Sequence, residues 1–223
     1  MRFREKMFKW LWGGKTADQT LAKRFKIFIL VAIGLIAVSK LLYLSGAMPL
    51  PNFELIIPAL VVIGSLSLYC GDSKPWRRLV RYFGVIALAS VYVIDILFWG
   101  PNPIYAFTWS GFILVWLISM KNKLSAFDRF KKLLYRTTLT AAIGILVFDI
   151  WTAFGCWIGW GERSLVGLIA VYLAQIPFTL YHLASLVFVP PLLGLGKLMI
   201  KVKVPVSVAV NANAGVKSKS ERR

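Results

Sequence analysis

The chain has 223 residues, 58% of them hydrophobic, and a mean hydropathy of +0.70, well above that of a water-soluble domain. Its 27 Lys and Arg against 9 Asp and Glu give a formal charge of +18, which so apolar a chain carries only if charged and apolar stretches are segregated. This excludes a soluble catalytic domain, and two cysteines exclude a disulfide framework or a Cys-rich metal module.

A spanning helix needs about 20 mainly apolar residues, because the hydrocarbon core is about 30 Å thick and each helical residue rises about 1.5 Å. After a basic segment, 1–26, six stretches qualify: Ile27 to Leu44, Leu55 to Tyr69, Leu79 to Trp99, Ile104 to Met120, Thr137 to Ile158 and Leu165 to Phe188. The first is too long for a signal-peptide core and is expected to be retained. The second is short. Gly100-Pro101-Asn102-Pro103 forces a turn, so the third and fourth form a hairpin, and Pro190-Pro191 ends the sixth. The pattern predicts an all-α integral membrane protein, with 27–199 a six-helix bundle and 200–223 a basic, disordered tail.

Basic residues are retained on the cytoplasmic side of short loops. Eight precede the first helix, four lie between helices two and three, six between four and five, and seven follow the sixth, leaving only Lys40 and Arg163. Both termini are therefore expected to be cytoplasmic in a multi-pass cell-membrane protein. The charge serves topology and anionic headgroups; nucleic acid is a poor partner for basic residues divided among four segments.

Ionisable residues inside a span are costly and usually have a partner, a water-filled cavity or a ligand. Lys40 lies 14 residues beyond Lys26, Asp95 14 beyond Arg81, and Asp149 13 beyond Arg136. All three are therefore expected in one layer about 20 Å from the inner boundary. One ion pair would leave a spare carboxylate. Tyr92, Asp95 and Trp99 share a helical face, as do Asp149, Thr152 and Cys156, which favours a lined cavity over a purely structural cluster. Pro177 should kink the sixth helix and free a carbonyl near Gln175. His182 lies 19 residues beyond Arg163; on depth it belongs near the inner boundary, outside the charge layer, as a packing residue. No second His or Cys stands at ligand spacing, so no metal is expected. Phosphate-loop, Gly-x-Ser-x-Gly and His-Glu-x-x-His motifs are absent, so catalysis and bound cofactors are not expected.

Three local motifs carry a resemblance: Pro51-Asn52-Phe53-Glu54 before helix two, Phe148-Asp149-Ile150-Trp151-Thr152 in helix five, and Pro177-Phe178-Thr179-Leu180-Tyr181-His182 in helix six. With six helices and a basic cytosolic face, residues 25 to 196 resemble the substrate-binding S component of an energy-coupling-factor transporter. The resemblance implies a vitamin-like micronutrient bound in the outer half of the bundle, beneath a lid formed by the 45–54 loop with Asn52 and Glu54. It also implies partners, a transmembrane coupling subunit and ATPase subunits, which hydrolyse the ATP. The family's Ala-x-x-x-Ala on helix one is missing; Ala32 is followed by Ile36, and Gly34 with Ala37 gives only a small patch.

Lys40, Asn52, Glu54, Tyr92, Asp95, Trp99, Asp149, Thr152 and Gln175 are thus the expected substrate-binding residues. Their acids and aromatics suit a donor-bearing or cationic flat ring, thiamine-like or modified-base-like. The rivals are a membrane enzyme acting on lipid or isoprenoid substrates and a non-catalytic scaffold whose charges form an ion-paired core.

Overall fold

The computed structural model describes residues 17–44, 55–67, 84–159 and 162–200, nearly all of them helical. Helix α1 (Ala17–Leu44) begins ten residues before the first apolar run, its basic opening turns leading into the apolar stretch without a helix breaker. Helix α2 (Ile56–Ser65) is shorter than the 55 to 69 segment expected, and all ten of its residues are buried. An element apolar on every side belongs inside other elements, and α1, α3, α4, α5 and α7 pack around it. The chain leaves α2 as a two-residue strand, β1 (Leu66–Ser67), which pairs in parallel with β2 (Leu124–Ser125), Leu66 opposite Leu124.

Helix α3 (Gly84–Trp99) stops at Gly100, whose φ of +66° is the left-handed conformation that ends a helix at little cost in glycine. The Asn102 side chain accepts from the Ile104 amide at 3.2 Å, and α4 (Tyr105–Lys121) starts there, completing the expected hairpin. Helix α5 (Phe130–Gly159) is the longest described, and it starts seven residues before the apolar run. Ser164 caps α6 (Leu165–Ala184), its hydroxyl accepting from the Gly167 amide at 3.0 Å. The Trp157 indole donates to the Glu162 carbonyl at 3.0 Å, tying the end of α5 to the cap.

Pro190-Pro191 does not end helical structure. A 3-10 turn (Ser185–Phe188) leads directly into α7 (Val189–Ile200), with both prolines in the first turn, where no intrahelical N–H bond is required. Leu192 and Leu193 of α7 are buried, and the helix packs against α1 and α2. Helix α6 likewise continues through Pro177.

Three stretches, Gln19–Leu42, Phe130–Gly159 and Leu165–Met199, are long and apolar enough to cross a membrane; Ile56–Ser65, Gly84–Phe98 and Tyr105–Lys121 are shorter apolar helices. The all-α class expected from the sequence is observed, while residues 1–16 and the tail beyond residue 200 lie outside the described residues. Close helix contact depends on small residues where no hydrophobic drive separates helix from lipid. A Cβ on Gly155 of α5 would sit 2.3 Å from Phe107 Cγ on α4. Gly155→Val is therefore expected to destabilise by about 1–3 kcal/mol through overpacking, seen as a lower thermal midpoint in detergent. Gly34→Ala, where a Cβ meets nothing within 4 Å, should not lower the midpoint, since alanine is the better helix former.

Candidate functional site

Lys40 and Asp95 meet between α1 and α3, Nζ to Oδ1 at 3.0 Å, with side chains 8% and 2% exposed. The other carboxylate oxygen, Oδ2, accepts from the Trp109 indole of α4 at 3.0 Å. Tyr92 donates its hydroxyl to the Trp109 carbonyl, and the Tyr92 and Tyr105 rings pack against the indole at centroid distances of 4.7 and 5.2 Å. Both oxygens of Asp95 are therefore satisfied by protein groups, and opposite charges offset part of the desolvation cost of burying them. Trp109 and Tyr105 are additions to the expected site, and a signal for Trp109 exists in the sequence. Asp95 lies five residues before Gly100 and Trp109 six after Pro103, so the hairpin brings them level.

The second buried carboxylate, Asp149 of α5, faces α6. Its Oδ1 accepts from His182 Nδ1 at 2.6 Å, with both side chains at least 90% buried. The Phe148 ring stands edge-on to the imidazole at 5.8 Å and stacks on Phe112 of α4 at 4.6 Å. Asp149 Oδ2 is buried and has no hydrogen-bond partner among the described residues. Leaving such an acceptor unfilled costs about 1–3 kcal/mol, and more where charge is present. Thr152 turns its hydroxyl back to the Phe148 carbonyl at 2.9 Å, while Trp151 donates to Ser110 Oγ on α4 at 2.8 Å.

The expected position of His182 is corrected by this geometry. Depth counting places the imidazole nearer the inner boundary because it tracks Cα positions along one helix. Side chains lean toward the N-terminus of their own helix, and α5 and α6 run in opposite directions, so Asp149 and His182 reach toward each other. The charge layer is also divided. Asp95 belongs to the packing of α3 on α1 and α4, and Asp149 to that of α5 on α6. Gln175 lies half-buried on α6. Asn52, Glu54 and the 45–54 loop lie outside the described residues, and Trp99 is described only as the last residue of α3.

Among the described residues, no three His, Cys, Asp or Glu side chains cluster as a metal site would require. At the far end of the bundle from Gly100, an apolar crevice between Phe25, Leu66, Ala126 and Leu133 has no room for a water molecule.

Helices long and apolar enough to cross a membrane, in a bundle that buries the Lys40–Asp95 and Asp149–His182 pairs within a mainly apolar core, mark a helical membrane protein. The chain belongs to DUF6580, a family of unknown function, whose match covers residues 19–207, from α1 through α7. No curated protein and no solved structure matches it.

Proposed function

We propose that the chain is a membrane-embedded substrate-binding subunit for uptake of a small micronutrient, with six spans and both termini cytoplasmic. Its energy comes from a separate coupling subunit and ATPases, as in the energy-coupling-factor transporters whose S components it resembles. The observation that carries the reading is the buried Asp149 of α5, which meets His182 of α6 through one carboxylate oxygen while the other has no partner among the described residues. Purely structural packing favours apolar residues at such positions, and buried ionisable groups in spans are by default functional. Segregation of basic residues supports the orientation, since 25 of the 27 fall in the four segments assigned to the cytoplasm.

Mass spectrometry of the full chain extracted from its native membrane tests the proposal. A small molecule should co-purify chemically unchanged, and Asp149→Asn, still folded by circular dichroism, should retain about tenfold less of it, the loss expected for one hydrogen bond to a charged group. Failure to recover any small molecule from the wild-type chain would defeat the reading. A structural role is favoured for one residue: Asp95, with both oxygens engaged by Lys40 and Trp109, should on replacement by Asn change stability and leave ligand retention intact.

A further inference from the structure

Helices α5 and α6 carry facing polar stripes. On α6, Tyr172, Gln175, Thr179 and His182 fall within about 80° of arc at helical spacing, and both ends of this stripe touch α5. Tyr172 donates to the Ile150 carbonyl at 3.2 Å, and His182 bonds Asp149. On α5, Asp149, Thr152 and Cys156 share the opposing face, within about 60° of arc. Gln175 and Thr179 are half-buried, and neither side chain has a hydrogen-bond partner among the described residues. Asp149 lies ten residues before the end of α5 at Gly159, roughly 15 Å along the axis. Elsewhere α6 presents apolar side chains such as Val166, Ile169, Leu173 and Ile176, all more than half exposed. Unsatisfied amide and hydroxyl groups are expensive in hydrocarbon, and Gln175 and Thr179 share their helix face with His182, whose partner Asp149 has one oxygen without a partner among the described residues.

The geometry points to this seam as the path and binding site of a ligand bearing an ammonium or N–H donor, which advances from the outer end of α5 and α6 until the donor meets Asp149 Oδ2. Gln175 and Thr179 hydrogen-bond its trailing part. His182 occupies Oδ1 and so aims the free oxygen. This rests on the binding-subunit reading and adds the route of the ligand and the atom its cationic or donor-bearing end meets, which excludes a carboxylate at that end.

Charged thiol reagents test it on the full chain in right-side-out vesicles, with Cys70 and Cys156 replaced by Ser. Thr179→Cys, or Gln175→Cys should the first fail to fold, is treated from outside with cationic MTSET and anionic MTSES, neither of which crosses the bilayer. The cationic reagent is expected to react about tenfold faster relative to free thiol, through focusing of the Asp149 field in a low-dielectric seam. Adding Asp149→Asn should remove that preference. Ala174→Cys, on the opposite side of α6, should show none. Absence of reaction at both seam positions, equal rates for the two reagents, or a preference that survives Asp149→Asn would each overturn the proposal. Co-purification of a ligand would stand or fall separately, so a binding subunit whose site lies elsewhere is distinguished from a chain that binds nothing.

Discussion

Lys40→Met is expected to lower stability by about 3–5 kcal/mol, the loss found when one member of a buried ion pair is removed and the other stays behind. Asp95 keeps the Trp109 indole on Oδ2 but loses the ammonium 3.0 Å from Oδ1. Removing both charges has a different consequence. In Lys40→Met with Asp95→Leu no stranded carboxylate remains, and apolar replacement of a buried pair is often neutral or stabilising. The double variant should therefore unfold close to wild type in an SDS titration while the single variant unfolds much earlier. If the single substitution proved as mild as the double, the Lys40–Asp95 contact would not hold α1 to α3.

His182→Leu is expected to be of similar size, about 3–5 kcal/mol, because Asp149 would then have neither oxygen engaged by a described group. The reverse substitution should be milder. Asp149→Leu leaves an imidazole, which can be buried neutral, whereas a carboxylate stripped of donors is far costlier. Thermal midpoints of the two variants in one detergent give the order directly, and equal losses would mean that the pair acts through packing of Phe148 and the ring alone. His182 engages Asp149 Oδ1 and leaves Oδ2 without a partner among the described residues.

Much of the architecture is legible in the residues themselves. Apolar length marks α1, α5 and α6, and Gly100-Pro101-Asn102-Pro103 marks the turn between α3 and α4, since proline and a positive φ at glycine are local matters that no distant contact overrides. The continuation into α7 is not legible, because Pro190-Pro191 reads as a stop; the burial of Leu192 and Leu193 against α1 and α2 is what makes the prolines a helix start. The brevity of α2 is half visible. Its apolar run suggests a full span, but a helix enclosed by protein has no need to match hydrocarbon thickness, and its backbone can pass into β1 where polar groups are shielded from lipid.

The charged residues divide the same way. Lys40, Asp95 and Asp149 stand out because they interrupt apolar runs, and helical spacing assigns each a face and a depth. Which of them meet is settled between helices. Asp95 finds Trp109 through the register of the hairpin, and Asp149 finds His182 because antiparallel neighbours lean their side chains toward one another. By itself the sequence determined that this chain buries charge among apolar helices. Only the tertiary structure decided the pairing, because a 3.6-residue repeat describes one helix and carries no information about the rotation or axial offset of the next.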